Sequence, residues 1–148
     1  MATILAIDDD PSFLEILRTF IEKLGYGFMS AEDGIMATKA AQRQKPDLII
    51  ADYNMPAADG VTVVDRLARL LKDPDIPVIF ISGAEIEKAI EGAQDMAHKR
   101  FLSKPLKLFV LEAAIRELLQ EPPPGHHEEE PEEGSPGQTV IDLDDPKA

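Results

Sequence analysis

At 148 residues with 44% hydrophobic content, the chain is long enough for one packed domain and short for two. No apolar run approaches the roughly 20 residues that span a bilayer, and no basic stretch followed by an apolar one opens the sequence, so no membrane partner and a cytoplasmic location are expected. The absence of cysteine removes disulfides, thiolate metal sites and cysteine nucleophiles, and a net charge of -13 disfavours phosphate backbones, so no nucleic-acid partner is expected.

The first element is an apolar run over residues 3–7 that ends in Asp8, Asp9 and Asp10, the pattern of a buried parallel strand with a polar carboxyl end. Pro11, with Asp10 as N-cap, opens a helix whose predicted apolar face is Phe13, Ile16, Leu17, Phe20, Ile21 and Leu24, and Gly25 stops it. A short strand over residues 27–30 precedes a helix capped by Asp33 and running to about Arg43, with Ile35, Met36, Ala40 and Ala41 predicted toward the core. Pro46 breaks the chain, and residues 48–51 form an apolar strand that delivers Asp52 at its end.

After a loop over residues 53–60, Val63, Val64, Leu67, Leu70 and Leu71 mark a third helix. Pro77 opens a fourth strand over residues 78–81, which ends at Ser82 and Gly83 and leads into a helix over about 85–97. A fifth strand over residues 100–102 ends at Lys104 and Pro105, and Leu108, Leu111, Ile115, Leu118 and Leu119 make the last helix amphipathic. Five strands alternating with five helices imply an α/β domain: a doubly wound parallel sheet covered on both faces, with its ligand site at the carboxyl ends of the strands.

Asp8, Asp9, Asp52, Ser82 and Lys104 all fall at those ends. Taken singly, a strand-end aspartate commonly caps the next helix and Ser82 reads as a turn residue. Together they make a site. Three converging carboxylates repel unless a cation or protons neutralise them, and Mg²⁺ suits oxygen donors from Asp9, Asp52 and a loop carbonyl near Asn54, with Asp8 acting directly or through water. An aspartate beside such an ion can attack a phosphoryl group, while Lys104 and the Ser82 hydroxyl meet the phosphoryl oxygens and Gly83 leaves room for backbone approach.

The segments Ile4-Leu5-Ala6-Ile7-Asp8-Asp9-Asp10-Pro11, Asp52-Tyr53-Asn54-Met55-Pro56 with Asp59-Gly60, Ile81-Ser82-Gly83-Ala84 and Phe101-Leu102-Ser103-Lys104-Pro105 resemble the receiver domain of response regulators. The resemblance implies a flavodoxin-like strand order, 2-1-3-4-5, and a phosphoacceptor switch of a two-component or phosphorelay system. Alternation of strands and helices does not by itself fix that order, and receivers are among its known examples, so the order rests on the resemblance. It implies further that Asp52 accepts a phosphoryl group from a sensor histidine kinase, a histidine phosphotransferase or a small donor. Asp8 and Asp9 would build the Mg²⁺ site, with Mn²⁺ as a substitute.

By the same resemblance Ser82 follows the phosphoryl group, Lys104 pairs with it, and Phe101 is the aromatic switch that remodels the face formed by the last strand and its two flanking helices for a protein output partner. The protein would be a monomer or a phosphorylation-dependent dimer, and its only catalysis would be its own phosphorylation and slow dephosphorylation. Phe101 lacks the hydroxyl of a tyrosine switch. Residues 96–100 stand where the family has a Gly-Ala pair, so a longer or displaced helix end is expected there. The alternatives are a haloacid-dehalogenase-like phosphohydrolase, which needs an acid where Asn54 stands, and an unphosphorylated interaction module.

The charge is uneven. Residues 1–120, the expected domain, hold nineteen acidic against fourteen basic residues, whereas 121–148 hold nine acids against Lys147. That second segment, rich in proline and glutamate and without a periodic apolar face, is expected to be a disordered acidic tail.

Overall fold

The computed structural model describes residues 1–55, 59–83 and 98–120. Within them lie five strands, β1 (Thr3–Ile7), β2 (Gly27–Ala31), β3 (Leu48–Asp52), β4 (Val78–Ser82) and β5 (Lys99–Ser103), and four helices. The helices are α1 (Pro11–Lys23), α2 (Gly34–Arg43), α3 (Gly60–Leu71) and α4 (Leu108–Leu119). The further helix expected over 85–97, with its altered end, lies outside the described residues.

The strands form one parallel sheet in the order β2-β1-β3-β4-β5. Strand periodicity divides the core cleanly into two layers. Leu5, Ile7, Ile49, Ala51, Val78 and Phe80 face α2 and α3, packing on Ala37, Ala40, Val63 and Leu67. Their neighbours Ile4, Ala6, Leu48, Ile50, Ile79 and Ile81 face α1 and α4, packing on Leu14, Leu17, Ile21, Leu111 and Ile115. Burial on both faces is what makes β1, β3 and β4 read as unbroken apolar runs.

Asp10 and Asp33 cap α1 and α2 as expected: Asp10 Oδ1 accepts the Ser12 N–H at 3.0 Å, and Asp33 Oδ1 the Met36 N–H at 2.8 Å. Asp59 does the same for α3 through Thr62, at 2.7 Å.

The helix faces differ from expectation at four residues. In α1 the buried positions are Leu14, Leu17 and Ile21, and Ile16 is 54% exposed. In α2 the core is built by Ala37, Ala40 and Ala41, while Ile35 is 70% exposed and Met36 46%. Leu70 of α3 also faces outward. The reason in α2 is steric: small residues let the helix lie close against the sheet and α3, and the large residues are left on the rim.

Candidate functional site

Register brings the expected residues to one edge. Ile7 pairs with Ala51, so Asp8 and Asp52 stand side by side one step beyond. Asp52 pairs with Ile81, and Ser82 with Ser103, so the ends of β3, β4 and β5 come level. The carboxylates of Asp8, Asp9 and Asp52 each offer an oxygen within 4.8 Å of the others. Asp8 and Asp52 are buried, at 3% and 5% exposure, and Asp9 opens to solvent.

Neither buried aspartate caps a helix. Each folds its carboxylate onto the backbone two residues on: the Asp10 N–H donates to Asp8 Oδ1 at 2.9 Å, and the Asn54 N–H to Asp52 Oδ1 at 3.0 Å. Burial pushes the Asp8 carboxyl up from its ordinary 3.8 to about 6; Asp52 and Asp9 add repulsion, against the opposing Asp10 N–H and Lys104. An acid crowded in this way is relieved by a proton or by a hard cation. The all-oxygen donor set fits Mg²⁺.

Lys104 closes the other side. Its Nζ lies 3.7 Å from Asp52 Oδ2 and 5.7 Å from the centroid of the Phe13 ring, with the side chain 39% exposed. The Lys104 N–H donates to the Ser82 carbonyl at 2.8 Å, which fixes the start of its side chain. Ser82 is fully buried at the end of β4. A Cβ on Gly83 would meet only Lys104 Cδ, at 3.8 Å, an ordinary contact.

Phe101 is half-buried and stacks on Phe80, with centroids 5.2 Å apart and planes 22° apart, and Tyr53 meets Phe80 edge-on at 6.3 Å. An aromatic row therefore leads from the residue after Asp52 to β5.

Asn54 is exposed, and its backbone N–H is what touches Asp52. Three contributors are not among the residues expected to line the site, although Asp10 and Gly60 fall in the segments that carry the resemblance. Phe13 reads only as part of a helix face, and Asp10 only as a cap. Gly60 reads as the end of a loop, yet a Cβ there would collide with the backbone carbonyl of Asp52. The Asp59-Gly60 pair, a cap followed by the smallest residue, is the available sign.

A doubly wound parallel sheet that brings three carboxylates and a lysine together at the carboxyl edge of its strands defines the class: α/β proteins whose ligand site lies at that edge. The particular member of that class follows from comparison: the chain belongs to the response regulator receiver domain family, whose profile matches residues 4–116. It is therefore a signal-transduction domain of two-component systems.

Among its relatives is the DNA-binding dual master transcriptional regulator RpaA of Synechocystis, 36% identical over 121 residues, which cover 81% of this chain and 50% of RpaA. The transcriptional regulatory protein PrrA of Mycobacterium tuberculosis is 34% identical over 118 residues, 79% of this chain and 49% of PrrA. The chain thus spans about half the length of these curated relatives. Among solved structures, Vibrio cholerae chemotaxis protein CheY4 matches with a TM-score of 0.71 at 28% identity, covering 80% of this chain and 98% of CheY4. The receiver domain of a signal transduction histidine kinase from Syntrophus aciditrophicus matches at 0.70 and 29%, covering 81% and 91%. Among the described residues, no helix is long and apolar enough to cross a membrane.

Proposed function

We propose that Asp52 is the phosphoacceptor of this receiver and that phosphorylation there is its signal. The carrying observation is the meeting of three carboxylates within 4.8 Å beside a lysine ammonium 3.7 Å from Asp52. A carboxylate oxygen of Asp52 attacks the phosphorus of a phosphohistidine, an acyl phosphate bond forms, and the P–N bond breaks with its electron pair leaving on the imidazole nitrogen. Asp8, Asp9 and Asp52, with a loop carbonyl near Asn54, would hold Mg²⁺, which when bound offsets charge on the transferring oxygens.

The protein side of the work is positional. The Asn54 N–H fixes the Asp52 carboxylate, and Lys104 supplies positive charge to the incoming phosphoryl oxygens. The Ser82 hydroxyl is drawn to the phosphoryl group, and Phe101 carries that movement to the face around β5 by shifting an equilibrium between two states. The donor is a sensor histidine kinase or histidine phosphotransferase. The reader is a protein that binds the β5 face, or a second copy in a phosphorylation-dependent dimer. RpaA is DNA-binding by name; the present sequence carries -13 and favours a protein partner instead, in the cytoplasm. Residues 1–120 form the receiver and 121–148 an acidic appendage.

The test is incubation with Mg²⁺ and a small phosphodonor, followed by intact mass. A base-labile adduct of one phosphoryl group that is absent in Asp52→Asn supports the proposal. Failure to form it with both a small donor and a phosphohistidine protein overturns it.

A further inference from the structure

Asp52 alone holds Lys104 loosely. At 3.7 Å, Lys104 Nζ and Asp52 Oδ2 attract but form no hydrogen bond, and a lysine side chain 39% exposed keeps rotamer freedom and access to water. The backbone fixes only the start of that side chain, through the Lys104 N–H on the Ser82 carbonyl at 2.8 Å. Keeping the ammonium at the site takes a second partner. The site already gathers three acids, and a fourth would hold the lysine only by adding to the charge that repels an anionic phosphoryl donor.

The Phe13 ring avoids that conflict. An aromatic face attracts a cation through its quadrupole while carrying no net charge. Lys104 Nζ lies 5.7 Å from the ring centroid, inside the roughly 6 Å over which this attraction acts.

The ring is also well fixed. Phe13 sits in the first turn of α1, half-buried, and packs on the core layer shared by α1 and α4. Its N–H donates to Asp10 Oδ1 at 3.4 Å, and the Asp10 N–H donates to Asp8 Oδ1 at 2.9 Å. A chain of contacts therefore leaves the acidic cluster at Asp8, passes through Asp10 and Phe13, and returns through Lys104 to Asp52. Packing on the core asks only for an apolar residue at position 13; the ammonium over the ring is what asks for an aromatic one.

We propose that Phe13 is a positioning residue for phosphorylation: its ring holds the Lys104 ammonium beside Asp52, ready for the incoming phosphoryl oxygens. The inference rests on Asp52 being the phosphoacceptor. Phe13 acts through Lys104 and takes no part in the bond changes themselves.

The test uses the full chain, Mg²⁺ and phosphoramidate, a small donor that brings no second protein to α1. The bond from the Asp52 oxygen to phosphorus forms as the phosphorus–nitrogen bond of the donor breaks, and ammonia leaves with the electron pair, so intact mass against time gives the rate. A ring-trifluorinated phenylalanine at position 13 keeps the shape and apolar character of the side chain but cancels most of its quadrupole. It should slow adduct formation about two- to fivefold without lowering the thermal midpoint. Phe13→Leu should slow it similarly, and Phe13→Tyr, which keeps the aromatic face, should restore it. In the Lys104→Met background, changes at position 13 should leave the rate where it is. In proton–carbon spectra the Lys104 ε-methylene protons should resonate upfield of those of exposed lysines and move back in Phe13→Leu.

A parent-like rate with the fluorinated ring, or the same slowing in the Lys104→Met background, overturns the inference while leaving Asp52 as the acceptor. If phosphoramidate leaves the parent chain unmodified, the series is run with a phosphohistidine protein; absence of an adduct with both donors removes the acceptor reading and the inference with it.

Discussion

Lys104 Nζ and Asp52 Oδ2 stand 3.7 Å apart although they come from the ends of β5 and β3, with β4 between them in the sheet. Two strand spacings are about 10 Å, a span that the long aliphatic stem of lysine helps to bridge by passing beside Gly83. The charge is thereby delivered from the next strand but one of the same sheet.

Lys104→Met keeps the stem and removes the charge. Because the pair is partly exposed, stability should change by no more than about 1 kcal/mol, while the rate of adduct formation at Asp52 should fall about tenfold or more. Lys104→Arg should not restore the rate, since a planar guanidinium cannot replace a compact ammonium on the same path. Thermal melts and time-resolved intact mass measure the two effects separately.

Asp8 makes stability depend on pH. Its carboxyl is pushed up to about 6, mainly by burial, so the folded chain binds this proton more tightly than the unfolded chain. The stabilisation from that proton is present below about pH 4 and is lost as pH rises through 6. Asp8→Asn should therefore raise stability at pH 7 in the absence of divalent ions, by at most about 3 kcal/mol, with the difference vanishing near pH 4. Mg²⁺ should stabilise the parent chain and leave the variant unchanged; denaturant melts across pH, with and without the ion, test both statements.

Gly60→Ala places a methyl group against the carbonyl of Asp52. Backbone must shift at the start of α3 and the end of β3 together, at a cost of about 1–3 kcal/mol. A lower denaturation midpoint accompanied by slower phosphorylation is the expected pair of results. An unchanged midpoint would mean that the close approach is relieved locally.

Phe101→Ala removes the ring stacked on Phe80. Since Phe101 is only half-buried, the loss should be roughly 1–3 kcal/mol, below the 3–5 typical of a core phenylalanine. The adduct at Asp52 should still form, but amide shifts across β5 on phosphorylation should shrink. Full-size shifts in the variant would show that the signal leaves the site by another route.

The strand ends are readable because a strand buried on both faces must be apolar, so an aspartate or serine terminating such a run marks the carboxyl edge. Asp8, Asp9, Asp52 and Ser82 are legible in this way, whereas Lys104 follows the half-buried edge strand β5 and is marked by the proline after it. Helix faces are less readable. Ile35 and Met36 outweigh alanine in any hydrophobic count, yet Ala37, Ala40 and Ala41 take the core because the space between α2, the sheet and α3 admits only small side chains.

The sequence by itself determined which residues close the strands, and hence the chemistry at one edge, because local burial dictates residue type along each run. The tertiary structure decided the rest. It buries Asp8 while leaving Asp9 open, sets Lys104 across β4 from Asp52, and presses Gly60 against the Asp52 carbonyl. These are relations between residues far apart in the chain, and distances of that kind are fixed by register and layer packing, which no single segment encodes.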